Sequence, residues 1–131
     1  MSKILIIDDD LFIITILKDL FTKEGYQVVA CRDGYSAVEI THKQKPDLII
    51  LDMLLPGGGG LSILKRIKLS NHINKIPIVA LSSLKDDESK NKAFSQGVDA
   101  YIEKPYDEKN LLDTIKSLIE KTKIIKLKLA S

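Results

Sequence analysis

Residues 3–10 read Lys-Ile-Leu-Ile-Ile-Asp-Asp-Asp, KILIIDDD. A short unbroken aliphatic run that ends abruptly in acid suits a strand buried on both faces and finishing at a polar site. The arrangement returns further along the chain. Residues 48–51 (LIIL) run into Asp52, residues 78–81 (IVAL) into Ser82, and residues 100–103 (AYIE) into Lys104-Pro105. Between these segments the apolar spacing becomes helical. Residues 11–23 place Ile13, Ile16, Leu17, Leu20 and Phe21 at helix period, with Asp10 set to cap the helix and Gly25 to stop it. A further strand is expected over 27–31 and a helix from a cap at Asp33 to about residue 43. A third helix is expected over 61–69, with Leu61, Leu64 and Ile67 at helical spacing. A polar helix over 86–96 has Ala93 and Phe94 as its anchors. A last helix over 107–121 turns Leu111, Leu112, Ile115, Leu118 and Ile119 to the core.

Alternating strands and helices with short links argue for an α/β fold, a doubly wound parallel sheet covered on both faces. The first, third and fourth strands are the most apolar and belong in the centre. The second and fifth carry more polar residues and belong at the edges. The order 2-1-3-4-5 satisfies both requirements and puts the reversal of strand order between strands one and three. Ligands of such sheets bind beyond the carboxyl ends of the strands. Asp8, Asp9 and Asp52 would flank that crevice, with Ser82 and Lys104 beside it. Carboxylates, a hydroxyl and an ammonium in one pocket point to a divalent cation and a phosphoryl group.

The bulk numbers narrow the classes further. The chain has 131 residues, 44% apolar and 29% charged, as expected for one globular domain. Its 20 basic and 18 acidic residues leave a net charge of +2, too balanced to argue for nucleic acid, and no direct nucleic-acid binding is expected. Cys31 is the single cysteine, so no internal disulfide can form; a reducing, cytoplasmic location and an inert, semi-buried thiol are expected. No apolar run approaches the roughly 18 residues of a membrane span. The chain enters its first strand directly from Met1-Ser2, so neither export nor a membrane partner is expected. Residues 1–123 are expected to form the body and 124–131 (IIKLKLAS) a basic and apolar tail that either extends the last helix or stays loose. The four glycines at 57–60 are expected to form a flexible loop at the rim of the site.

Taken in order, ILIIDDD, LIILDMLLPGGGG, IVALSS and GVDAYIEKPY resemble the receiver domain of bacterial two-component response regulators, from Lys3 to about Lys121. The resemblance implies a flavodoxin/CheY-like (βα)5 fold and a phospho-acceptor signalling domain rather than an enzyme. Asp52 matches the aspartate that receives phosphate from a histidine kinase or histidine phosphotransfer protein. Asp8 and Asp9 match the acidic pair that holds Mg²⁺, Asp9 directly and Asp8 more through water. The backbone carbonyl of Leu54 matches a further metal ligand. Ser82 matches the hydroxyl that bonds the phosphoryl group, Lys104 its lysine partner, and Tyr101 the aromatic switch residue. Pro105 matches a proline that usually follows a cis peptide. Phosphorylation is then expected to alter the face formed by the fourth helix, fifth strand and fifth helix, where an effector protein or a second copy of the chain docks.

The chemistry agrees with those roles. Three carboxylates in one crevice repel one another and an incoming phosphoryl group, and Mg²⁺ supplies the missing charge with a preference for oxygen ligands. With one Mg²⁺ and one lysine the formal charges cancel. Conversion of Asp52 to an acyl phosphate adds about one negative charge, which Ser82 and backbone N–H groups would absorb. His42 and His72 read as surface residues without a part in the transfer.

Some positions depart from the family pattern. Ser83 stands where alanine is usual, Tyr106 where phenylalanine is commoner, and Gly59 where an acidic or polar residue is frequent. Leu54 and Leu84, two residues beyond Asp52 and Ser82, place apolar groups on the path of hydrolytic water and imply a long-lived phosphoryl group. Two other classes compete. Asp8-x-Asp10 resembles the nucleophile motif of haloacid-dehalogenase-like phosphohydrolases with Asp8 as acceptor, but Phe12 occupies the usual Thr position and Asp52 is left unexplained. A flavodoxin-like cofactor binder would need a Ser/Thr/Gly phosphate loop where this chain has three aspartates.

Overall fold

The computed structural model describes residues 1–55 and 59–130. Strands form where the aliphatic runs lie: β1 (Lys3–Ile7), β2 (Gln27–Cys31), β3 (Leu48–Asp52), β4 (Ile78–Ser82) and β5 (Ala100–Glu103). All pairings are parallel, and the sheet order is β2-β1-β3-β4-β5. The helices are α1 (Leu11–Lys23), α2 (Ala37–Gln44), α3 (Gly59–Lys68), α4 (Asp87–Ser95) and α5 (Glu108–Ala130). The most apolar strands are central, because β3 and β4 are buried at every residue while the edge strand β2 is only partly covered.

Strand side chains alternate between faces, and two cores result. Ile4, Ile6, Leu48, Ile50, Val79 and Leu81 face α1 and α5, meeting Leu17, Phe21, Leu111 and Ile115. Leu5, Ile7, Ile49, Leu51 and Ala80 face α2, α3 and α4, meeting Ala37, Ile63, Leu64, Ile67 and Ala93. Two aspartates tie the lower ends of the strands together. Asp47 accepts from Lys3 N at 2.7 Å while its own N–H donates to Lys3 O at 2.7 Å. Asp99 repeats the device on β4, accepting from Ile78 N at 2.8 Å and donating to Ile78 O at 2.8 Å.

Several local expectations are corrected. In α1 the buried residues are Ile14, Leu17 and Phe21, while Ile16 is 42% exposed; the run LFIITIL is nearly all apolar, so its period left the helix phase open. Asp33 does not cap α2. Its carboxylate accepts from Ser36 N at 2.8 Å and Ser36 Oγ at 3.2 Å, which closes a turn and delays the helix to Ala37. Phe94 is 49% exposed and does not anchor α4, which buries only Ala93. Gly59 and Gly60 open α3 instead of belonging to a loop, whereas Gly57 and Gly58 lie outside the described residues. For the tail, which the sequence leaves open between helix and loose chain, Ile124 to Ala130 continue α5 as helix, and Ser131 lies outside the described residues.

Asp99→Ala removes the acceptor of the fully buried Ile78's N–H. A loss of about 1–2 kcal/mol is expected in urea unfolding. An unchanged midpoint would mean that the carboxylate bond contributes nothing to β4.

Candidate functional site

The site is assembled by backbone bonds at the upper ends of the strands. β1 stops at Ile7, and Asp8 N extends the ladder by donating to Cys31 O at 3.1 Å. Asp10 caps α1 by accepting from Phe12 N at 2.9 Å and Ile13 N at 3.4 Å. The Asp10 N–H turns inward and donates to Asp8 Oδ1 at 2.9 Å. The helix cap therefore also orients the first carboxylate. Asp52 is the last residue of β3, and Leu54 N donates to its Oδ1 at 3.0 Å.

Behind Asp52 the first turn of α3 lies directly on the chain. Gly60 N donates to Met53 O at 3.1 Å. A Cβ at Gly60 would stand 2.6 Å from Met53 Cα and 3.0 Å from Asp52 O. Only glycine permits this approach, which fixes the backbone carrying Asp52.

Asp8, Asp9 and Asp52 come together, each offering a carboxylate oxygen within 4.8 Å of the others. Asp8 and Asp52 are 2% and 7% exposed, while Asp9 faces solvent. Lys104 brings its Nζ to 3.7 Å from Asp52 Oδ1. Ser82 is fully buried at the end of β4, adjacent to β3; its Oγ accepts from Leu84 N at 3.0 Å, so its hydrogen remains to be donated. Its carbonyl accepts from Lys104 N at 2.8 Å, which links the ends of β4 and β5. The Lys104–Pro105 peptide is cis. Tyr101 is half-buried, and its hydroxyl donates to Leu84 O at 2.8 Å.

Burial pushes the Asp8 carboxyl up to about 6; the Asp10 N–H opposes this, the Asp52 charge adds to it, Lys104 opposes and Asp9 adds. A carboxylate cluster of this kind suits a hard, oxygen-loving cation of the Mg²⁺ type. Cys31 is buried, gives its thiol hydrogen to Asp33 O at 3.0 Å, and is pushed up chiefly by burial, which makes it inert. His42 and His72 are exposed.

Three contributors escape a sequence reading. Arg32, the residue after the edge strand β2, donates from Nη2 to Asp9 O at 3.2 Å and brings a cation beside the acidic pair. Gly60 acts by the side chain it lacks. The N–H groups of Leu54 and Leu84 act through the backbone, where side-chain type carries no signal.

Comparison with known proteins agrees with the geometry. The response regulator receiver domain family matches residues 4–116. The chain is 33% identical over 119 residues to the phosphate regulon transcriptional regulatory protein PhoB of Escherichia coli, covering 91% of this chain and 52% of that protein. The chain thus spans about half the length of the PhoB relatives it matches. It is 33% identical over 118 residues to sporulation initiation phosphotransferase F of Bacillus subtilis, covering 90% of this chain and 94% of the relative. The Francisella response regulator 1452 receiver domain superposes with a TM-score of 0.86 at 29% identity, over 93% of this chain and 99% of that one. The chain belongs to the response regulator receiver domain family, a signalling domain of two-component systems. Among the described residues no helix is long and apolar enough to cross a membrane.

The raised Asp8 carboxyl fixes a pH dependence. An unfolded aspartate titrates near 3.9, so between about 4 and 6 the folded chain binds the extra proton. Stability from this group is present below about 4 and is lost as pH rises through 6. In chelator, Asp8→Asn should therefore stabilise the protein by about 2–3 kcal/mol at pH 7.5 and hardly at all at pH 4. Equal unfolding midpoints for the two proteins at pH 7.5 would contradict the buried, costly carboxylate.

Proposed function

We propose that Asp52 is the acceptor of a phosphoryl group, taken from the phosphohistidine of a histidine kinase or a histidine phosphotransfer protein. The observation that carries this reading is the gathering of Asp8, Asp9 and Asp52 within 4.8 Å, with Lys104 Nζ 3.7 Å from Asp52. Asp52 Oδ1 is already engaged by Leu54 N and Lys104, which leaves Oδ2 as the attacking atom. Oδ2 forms the new O–P bond as the donor's P–N bond breaks, and the electron pair returns to the imidazole. With a small acyl phosphate the P–O bond breaks and the carboxylate leaves.

The chain's contribution is positioning and electrostatics, not acid–base chemistry. Asp8, Asp9, Asp52 and the Leu54 carbonyl would hold Mg²⁺, whose charge offsets the carboxylates and the phosphoryl oxygens. Lys104 draws the phosphoryl group toward Asp52 and compensates its charge. Ser82 donates its free hydrogen to a phosphoryl oxygen. That movement draws on the loop after β4, whose Leu84 carbonyl holds the Tyr101 hydroxyl. Ser82 and Tyr101 form the switch, and the face of α4, β5 and α5 is what it alters. The thin anchoring of α4, with Ala93 its one buried residue, supports a helix that shifts at low cost. An effector protein, or a second phosphorylated copy, docks there. Residues 1–123 act as the receiver body with 124–131 as a tail, and a cytoplasmic location suits this role.

Incubation with acetyl phosphate and Mg²⁺ should add one phosphoryl mass to the intact chain. The gain should vanish in Asp52→Asn and in excess chelator. An adduct that survives Asp52→Asn but is lost in Asp8→Asn would instead favour the hydrolase-like chemistry.

The lifetime of the adduct is a separate expectation. Leu54 and Leu84, 52% and 38% exposed, follow Asp52 and Ser82 by two residues, and their side chains offer water no hydrogen bond. The phosphoryl group should persist for minutes or longer, and Leu54→Asn should shorten its half-life about tenfold, as one water-orienting bond is worth roughly 1.4 kcal/mol. Spontaneous loss within seconds in the unaltered chain would refute the shielding.

A further inference from the structure

A cavity of about 360 Å³ lies at the lower ends of β3, β4 and β5, away from the carboxylate site at the upper ends. Pro46, Ile76 and Pro77, from the links that enter β3 and β4, line it together with Leu118, Ile125 and Leu129 of α5. With Thr122 the α5 residues recur at four-, three- and four-residue spacing, which makes one stripe along the helix. From Leu118 to Leu129 the stripe spans roughly 16 Å at the helical rise. Thr122 spends its hydroxyl hydrogen within the helix, on Leu118 O at 2.9 Å. Ile125 and Leu129 are 48% and 78% exposed. Aliphatic side chains left this open at a helix end bury nothing that would hold the helix in place.

The charge around this stripe leaves one sign unanswered. On α5, Lys121 borders one edge of the stripe and Lys126 the other, and Lys75 joins them from the link before β4. Among the described residues none of the three pairs with an acid. Asp47 and Asp99 also line the cavity, but each carboxylate is held by a backbone N–H, that of Lys3 at 2.7 Å and that of Ile78 at 2.8 Å. Both are fixed at strand ends. Exposed His72 completes the rim, and α5 has no acid after Glu120. A lysine lays its methylene stem on an apolar surface and extends its ammonium to the edge. An apolar trough of this volume with a few convergent charges has the make-up of a small-molecule site. A neutral apolar occupant would leave the three ammonium groups unanswered, and a cationic one would be repelled.

We propose that this cavity binds a free, unbranched fatty carboxylate of about ten to twelve carbons, a length that matches the stripe. Its chain lies along Leu118, Ile125 and Leu129, against Ile76 and Pro77, and its carboxylate lies among Lys75, Lys121 and Lys126. The ligand covers the aliphatic side chains that the fold leaves open, and its one anionic end meets the unpaired ammonium groups. The occupant is a single molecule and not a bilayer. Ile124 and Leu127 point to other sides of the helix than Ile125 and Leu129, so the tail has no single apolar face of the kind that lies in a membrane surface. The site stands at the opposite ends of the strands from Asp8, Asp9 and Asp52 and does not rest on the phosphoryl reading.

Titration of the full chain with sodium decanoate, followed by amide NMR shifts, tests this. One decanoate per chain should bind saturably with a dissociation constant of about 1 mM or tighter. The shifts should centre on residues 75–77 and 118–129. Decyltrimethylammonium, with the same chain and the opposite charge, should not bind. Lys121→Glu combined with Lys126→Glu should weaken decanoate at least about tenfold and admit decyltrimethylammonium in its place. Ile125→Glu should abolish decanoate binding, and Lys123→Glu, off the stripe, should leave it unchanged. These positions are exposed, so an unchanged far-ultraviolet spectrum should accompany every variant. Shifts that do not saturate, or that centre elsewhere, would overturn the proposal. So would decanoate binding indifferent to the paired lysine reversal, or a chain that ignores decanoate and sediments with phosphatidylglycerol vesicles.

Discussion

Three carboxylates held within 4.8 Å of one another repel, and two of them are almost out of water. Such a cluster survives folding only because the surrounding chain holds it rigidly. Asp10 caps α1 and directs its N–H at Asp8. Leu54 N fixes one oxygen of Asp52, and Gly60 lets α3 press on the strand end behind it. The central strands supply the rigid base, since β3 and β4 are buried at every position. Asp47 and Asp99 tie the far ends of the same strands. The repulsion that weakens the fold is the same feature that would attract a divalent cation, so stability is given up where the proposed function needs charge.

Rigidity is graded across the molecule. The site rests on strands, while the segment beside it is loosely held. α4 buries one small side chain; its Lys90 pairs with Glu103 of β5, and on the same side of β5 Tyr101 holds the Leu84 carbonyl of the loop that leads into the helix. In the proposed role, a charge added at Asp52 would act on Lys104, 3.7 Å away, and on Ser82 at the end of the adjacent strand, whose backbones are bonded to each other. From there β5 leads to α4 within one or two residues. A local electrostatic change thus reaches a surface through few contacts, none of which requires the core to repack.

Much of this was legible in the residues. The unbroken aliphatic runs marked the buried strands, and their order followed from which were most apolar. The residues closing those runs met as expected in the case of Asp8, Asp9 and Asp52, because topology brings strand ends together regardless of sequence distance. Legibility failed where pattern was ambiguous or absent. LFIITIL is too uniformly apolar to reveal which side of α1 faces the sheet. Asp33 can cap or close a turn, and only the position of Ser36 decides between them. The glycines at 59 and 60 read as a loop because glycine disfavours helices, but the packing of α3 on Met53 outweighed that preference. The backbone donors and Arg32 carried no motif.

The central claim is that Asp8, Asp9 and Asp52 act as one cation-binding unit opposed by Lys104. A calorimetric Mg²⁺ titration of the unphosphorylated chain tests it most directly. One ion per chain should bind, Asp9→Asn should abolish the heat, and Lys104→Ala should tighten binding because the ammonium 3.7 Å from Asp52 competes for the same carboxylate. Binding that ignores Asp9→Asn, or that weakens in Lys104→Ala, would contradict the account.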